Sequence, residues 1–141
     1  MSLAALRPLT VLGLMSGTSA DGIDAAIVHI APRRVRQTSA LDLKVELLHH
    51  SAYPFTPALR QAVLRAAGTA PITTAELARL HWRLGLAYAE VAQEAVRASR
   101  ATLDLAGCHG QTIYHQGVPS RSLGRRFACT CLLYTSDAAD E

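Results

Sequence analysis

Residues 13–30 read GLMSGTSADGIDAAIVHI, two apolar runs around a knot of small, hydroxylated and acidic residues. The run at 9–15, LTVLGLM, is short and apolar and is bounded by Pro8 and the Ser16-Gly17 pair, which predicts a buried strand. Residues 23–30, IDAAIVHI, predict a second strand, closed by Pro32. Two strands can reverse on about two or three residues. Here the reversal takes Ser16, Gly17, Thr18, Ser19, Ala20, Asp21 and Gly22. Whatever the chain folds into must give that loop a place at the end of a strand pair.

The next segment, LDLKVELLH at 41–49, alternates. Leu41, Leu43, Val45 and Leu47 fall on one face, and Asp42, Lys44 and Glu46 on the other, the pattern of a half-buried strand. Three strands with short connections predict an antiparallel meander. Two helices follow. Thr56 caps the first, with Pro57 at its first position, Leu59, Val63 and Ala67 on one face, and Gly68 at its end. Thr73 and Glu76 form a capping box for the second. That helix runs from Thr74 to near Ser99, with Leu77, Leu80, Leu84, Tyr88, Val91 and Ala95 in one apolar stripe. His81 and Trp82 flank the stripe as partly packed surface residues. LDLAGC at 103–108 predicts a fourth strand that stops at HGQT. The order β-β-β-α-α-β indicates a layered α/β domain, with the last strand returning parallel to the first.

Composition narrows the class. Half of the 141 residues are hydrophobic and 18% are charged, enough apolar material for one globular domain. The net charge of +3 comes from scattered arginines, with small clusters at Arg33, Arg34 and Arg36 and at Arg121, Arg125 and Arg126. With only 5% aromatic residues, this is solvated loop charge rather than a nucleic-acid face. No apolar run approaches the roughly 20 residues that span a bilayer, so no membrane partner is expected. The N-terminus lacks the order of regions that marks a signal peptide, and Cys108, Cys129 and Cys131 do not form a disulfide framework. A reduced, cytoplasmic protein is expected.

Two loops carry candidate chemistry. In Ser16–Gly22, the glycines let the backbone reach positive φ or approach a ligand, and successive N–H groups can line a concavity that suits an anion. Thr18 and Ser19 add hydroxyls. Asp21 and Asp24 would repel a bare phosphate but suit one that arrives with Mg²⁺. The Gly-Lys-Ser/Thr ending of a P-loop is missing. Composition leaves two readings open: a nucleotide phosphate site, or a long hairpin turn whose side chains cap its own backbone. The second loop is HGQTIYH at 109–115. His109, Gln111 and Thr112 offer donors and acceptors for a polyhydroxy ligand, and Gly110 permits close approach. His109 and His115 lack a third metal ligand nearby. Cys108 reads as a small core residue, and an apolar strand end raises its thiol rather than activating it.

GLMSGTSADGIDAAIV followed by GCHGQTIYH, with the capped helix LHWRLGLAYAEVAQEAV between them, resembles the anhydro-N-acetylmuramic acid kinases. The resemblance covers residues 9 to about 119. It implies an α/β fold: a partial RNase-H-like lobe of the actin, sugar-kinase and heat-shock ATPase superfamily, built as an antiparallel meander plus helices and a parallel return strand. It implies an enzyme of peptidoglycan recycling that hydrolyses the anhydro bond of a cell-wall amino sugar and phosphorylates the same molecule. The cofactors implied are ATP and Mg²⁺, and the partners are the small-molecule sugar and ATP. A homodimer of the full-length enzyme is compatible with it. The cofactor-binding segment maps onto Gly17, Thr18, Ser19, Ala20, Asp21, Gly22, Ile23 and Asp24, with Asp21 as the metal residue. The sugar-binding segment maps onto His109, Gly110, Gln111 and Thr112.

The resemblance also has gaps. The family is longer, and its catalytic aspartate and adenosine-binding lobe follow the HGQT region, so no catalytic residue is expected in this chain. Residues 1–127 are expected to be part of an N-terminal lobe. Residues 128–141, ACTCLLYTSDAADE, resemble the in-frame translation of a sequencing adapter and are expected to be a non-native or disordered tail. A lone half-lobe would expose sheet edge and apolar surface. Two alternatives stand beside the kinase reading: a phosphatase of the same superfamily, and a small non-catalytic phosphate- or sugar-binding module.

Overall fold

A computed structural model describes residues 7–33, 42–68, 70–122 and 124–133. Arg34, Arg36, Leu41 and residues 134–141 of the expected tail lie outside these. The element order is β1 (Leu9–Ser16), β2 (Gly22–Arg33), β3 (Asp42–Pro54), α1 (Pro57–Ala67), α2 (Thr74–Ser99), β4 (Leu105–Ser122) and β5 (Arg125–Leu133). The five strands form one sheet in the order β3-β2-β1-β4-β5. β1 pairs antiparallel with β2 and parallel with β4, and β2 pairs antiparallel with β3. This is the meander with a parallel return strand that the sequence predicts.

Inward-facing residues alternate as strand geometry requires. Leu12 and Leu14 on β1 pair with Ile27 and Ala25 on β2, and all four are buried. The helices cover that face. α1 contributes Leu59 and Val63, and α2 contributes Leu80, Leu84, Tyr88, Val91 and Ala95. Both helices start as their sequences predict. The Thr56 hydroxyl accepts from the Leu59 amide at 3.3 Å, and Pro57 opens α1. Thr73 and Glu76 complete a reciprocal capping box, with the Thr73 amide donating to Glu76 at 2.8 Å and the Glu76 amide donating to the Thr73 hydroxyl at 3.1 Å. Among the described residues, no helix is long and apolar enough to cross a membrane.

The structure departs from the sequence reading in four places. β2 continues through Pro32, which pairs with Leu43. β1 begins only opposite Ile30, so at Pro32 the strand has a neighbour on one side and tolerates a missing N–H. β3 is a strand, but its alternating face is exposed: Val45 is 60% and Leu47 62% accessible. Register explains this. Leu47 and Val45 pair with Val28 and Ile30, which lie on the sheet face opposite the helices, and a bulge between Ile27 and Val28 shifts β3 by one residue. β4 does not stop at HGQT but runs through it to Ser122. Residues 128–133, assigned to the tail in the sequence reading, lie in β5, where Leu133 pairs with Gln111 and is buried.

Candidate functional site

β1 and β4 are parallel, and the ladder between them ends where Ser16, the last residue of β1, pairs with Gln111 in the middle of β4. The loop Gly17–Asp21 leaves β1 at that point, and HGQT lies beside it on β4. The register brings them together. Leu14 pairs with Cys108 and Ser16 with Gln111, so His109 and Gly110 stand opposite the single residue Met15. This is a β-bulge, and Gly110 adopts φ +77°, a conformation that a side chain would disfavour. The extra residue turns both Cys108 and Gln111 toward the helix side and leaves His109 exposed.

The consequence is a buried hydrogen-bond cluster. Ser16 and Gln111 are each 1% accessible. The Ser16 hydroxyl lies 2.7 Å from Gln111 Oε1 and 2.6 Å from the Gly22 carbonyl, so its single proton is shared between two acceptors. Gln111 Nε2 donates to the carbonyls of Gly17 and Thr112, both at 3.1 Å. Gln111 therefore grips the loop from β4, and Ser16 ties the loop's start to its end. Ser16 opens the candidate loop in the sequence, but the cofactor-binding segment implied by the resemblance starts at Gly17 and leaves Ser16 without a role. The period-two series Leu12, Leu14, Ser16 was the available signal, since it points Ser16 inward.

Within the loop, the Ala20 amide donates to the Gly17 carbonyl at 3.2 Å, closing a tight turn. The positive φ expected of the loop glycines belongs instead to Ala20, at +51° and almost fully buried. Gly22 is needed for a different reason: a Cβ there would lie 2.3 Å from the Tyr53 carbonyl on β3. At Gly17 a Cβ would meet only Ser19 Oγ, at an ordinary 3.6 Å. Packing does not demand a glycine at 17. Thr18 is exposed and makes no hydrogen bond among the described residues.

The Ser19 hydroxyl donates to Asp21 Oδ1 at 2.8 Å, and the Asp21 carbonyl accepts from the Phe55 amide at 2.9 Å. That fixes the exposed Asp21 carboxylate at the loop's exit. A depression of about 260 Å³ beside it is lined by Asp21, Gly22, Ile23, Asp24, Ala52, Tyr53 and Pro54. Ile23 itself is a core residue, 1% accessible. Asp24 lies on the opposite sheet face, with its carboxylate 3.7 Å from His50 Nε2. Among the described residues, no three His, Cys, Asp or Glu side chains gather around one point. Asp21 as a lone carboxylate still suits Mg²⁺, which keeps most of its waters and takes further oxygens from phosphates.

His109 Nδ1–H donates to the Gly110 carbonyl at 3.1 Å, leaving Nε2 as the outward acceptor. Beneath the cluster, the Tyr88 hydroxyl is buried close to Ser16 without completing a hydrogen bond, and burial together with nearby Cys108 drives its pKa well above the ordinary phenol. Burial also raises the Cys108 thiol, against a smaller opposing effect of a hydrogen bond with the Gly110 backbone. Neither group is poised to ionise near neutral pH. A larger groove of about 750 Å³ runs between α1 and α2 past Arg65, Arg79 and Arg83, and no residue of the two motifs lines it.

The sequence model of the anhydro-N-acetylmuramic acid kinases matches residues 9–126. A curated anhydro-N-acetylmuramic acid kinase of Trichormus variabilis is 39% identical over 125 residues, covering 89% of this chain and 30% of that protein. The same kinase from a Synechococcus species is 42% identical over 116 residues, 82% of this chain and 29% of the relative. The Bacillus cereus kinase is 38% identical over 109 residues, 75% of this chain and 27% of the relative. The chain thus spans about 30% of the length of the curated relatives it matches.

Proposed function

This chain belongs to the anhydro-N-acetylmuramic acid kinase family, and on that premise we propose that residues 1–127 form part of the N-terminal lobe of a two-lobed sugar kinase. The reaction is ATP-dependent phosphorylation, with hydrolysis of the anhydro bond, of anhydro-N-acetylmuramic acid to N-acetylmuramic acid phosphate. Its place is peptidoglycan recycling in the cytoplasm. The observation that carries the reading is the direct link from Ser16 and Gly17 to Gln111, which puts the two motifs at one end of the parallel pair β1/β4.

In the loop Gly17–Asp21 the exposed Thr18 offers its N–H and hydroxyl to the phosphates, and Asp21 holds the metal side of the nucleotide. Bound Mg²⁺–ATP supplies the phosphoryl group. Glycine at 17 leaves room for a phosphate to approach the backbone. Gly22, Ile23 and Ala20 act through the backbone and the core, holding the loop against β3. The exposed His109, beside the bulge at Gly110, faces the sugar with its free Nε2, and Thr112 completes that edge. No carboxylate here is assigned as the base that activates water, so this chain alone is expected to bind ligands without turning them over. Much of phosphoryl transfer is positioning and electrostatics.

Calorimetric titration of the 141-residue chain with a non-hydrolysable ATP analogue, with and without Mg²⁺, and separately with the anhydro sugar, tests this directly. Binding of both ligands, with the nucleotide dependent on Mg²⁺, is the expected result. Binding of neither removes the assignment.

A further inference from the structure

We infer that Gln111 is a positioning residue for the phosphate loop and not a contact to the sugar. This rests on the functional reading above and narrows it, because the motif containing Gln111 was assigned to the sugar as a block. The side-chain amide has two N–H donors and both are taken, by the carbonyls of Gly17 and Thr112. Its oxygen faces the Ser16 hydroxyl at 2.7 Å, and the whole residue is 1% accessible. No donor is left for a sugar hydroxyl, and the second lone pair of the oxygen is buried away from any ligand.

Each of those bonds acts on the loop. The Gly17 carbonyl takes two donors, Ala20 N–H at 3.2 Å from within the turn and Gln111 Nε2 at 3.1 Å from β4. Gln111 thereby fixes which way the Gly17–Thr18 peptide faces. With the carbonyl pinned inward, the N–H of that same peptide, which belongs to Thr18, is turned away from β4 toward solvent, since the two groups of a planar peptide point in opposite directions. An anion site needs that orientation. The bulge at His109-Gly110 is what brings Gln111 into line with Ser16, so the unusual φ of Gly110 serves the nucleotide side of the site. A buried polar cluster with its partners in place is rigid, and losing one member loosens the others.

The test uses Gln111→Met, which keeps most of the volume and removes both donors, and Gln111→Glu, which keeps an acceptor for Ser16 and removes the donors to Gly17. Amide hydrogen exchange is read on the 141-residue chain. Both variants should exchange faster by about tenfold or more at Ala20 while Leu84 and Tyr88 in α2 keep their protection. Titration with Mg²⁺ and a non-hydrolysable ATP analogue should show at least about tenfold weaker binding, with affinity for the anhydro sugar within about twofold of the parent. Unchanged exchange at Ala20 overturns the inference. Equal acceleration in α2 also overturns it, because it marks a general defect. Loss of sugar binding with intact nucleotide binding returns Gln111 to the sugar pocket. If the parent chain binds neither ligand, the functional reading fails, and the exchange data still decide what Gln111 does to the loop.

Discussion

The Ser16 hydroxyl and the Gln111 amide oxygen meet at 2.7 Å inside the protein, although 95 residues separate them in the chain. The contact joins the carboxyl end of β1 to the bulge in β4. Ser16→Ala should therefore do more than remove a surface hydroxyl. It leaves Gln111 Oε1 and the Gly22 carbonyl short of a donor, and an unsatisfied buried acceptor costs about 1–3 kcal/mol. A loss of that size in urea unfolding, accompanied by weaker nucleotide binding, is expected. Parent-like stability would mean that water replaces the hydroxyl.

The two loop glycines should separate under substitution. Gly22→Ala forces a Cβ against the Tyr53 carbonyl, and backbone cannot give way as a side-chain tip can. A cost at or above the roughly 1–3 kcal/mol of an overpacked site is expected in denaturant titration. Gly17→Ala has space and no left-handed φ, so it should melt within about 0.5 kcal/mol of the parent, as ordinary surface changes do. It should still weaken binding of the ATP analogue. Equal effects of the two variants on stability would contradict the packing argument.

Asp21→Asn keeps the loop's shape, because an amide oxygen still accepts from Ser19. It removes the charge that faces the metal. Nucleotide affinity should fall and lose most of its Mg²⁺ dependence, while sugar affinity stays level. If the Mg²⁺ dependence survives, the metal is not held by Asp21.

Acid should loosen the start of the sheet. Asp104 accepts from the Thr10 amide at 2.8 Å and from Arg7, and these bonds, the amide first, lower its pKa below that of a free aspartate. Glu76 is lowered in the same way by Thr73, first through its backbone and then through its hydroxyl. A carboxylate whose folded pKa is depressed contributes stability above its unfolded value, near 3.8 for Asp104 and 4.5 for Glu76. That contribution disappears as pH falls through the folded pKa. Asp104→Asn should therefore lower the melting temperature at pH 7 and change it least at the acid end. The difference between parent and variant should shrink steadily below about pH 4. A constant difference across that range would rule out linkage through Asp104.

The sheet face away from the helices should govern solubility. Leu43, Val45, Leu47 and Leu105 are all about half exposed or more, and register puts the three β3 residues beside Pro32, Ile30 and Val28 in turn. β3 is also a long edge strand, which invites pairing with another chain. Leu47→Lys should reduce light scattering at high concentration with little change in melting temperature. A large destabilisation would mean that Leu47 is packed against something in solution.

Local chemistry made much of this legible beforehand. The Thr56 and Thr73 caps and the apolar stripe of α2 depend on neighbours within a turn or two, so residue type and spacing were enough to place both helices. The same holds for β1 and for the hairpin loop at Ser16–Gly22. The two motifs could be recognised because each is a contiguous run.

The tertiary structure decided what those residues face. Alternation at 43, 45 and 47 specifies a strand but not which face is covered; the bulge near Ile27 and the placement of the helices on the other side left those residues exposed. HGQT carries the composition of a strand end, yet it lies mid-strand, because the hairpin partner β5 continues the ladder past it. Gln111 looked like an open donor for a ligand and became a buried brace. The order of elements predicts the parallel pairing with β1, but the outcome also depends on a one-residue bulge and the register it sets, which spacing along the chain does not encode.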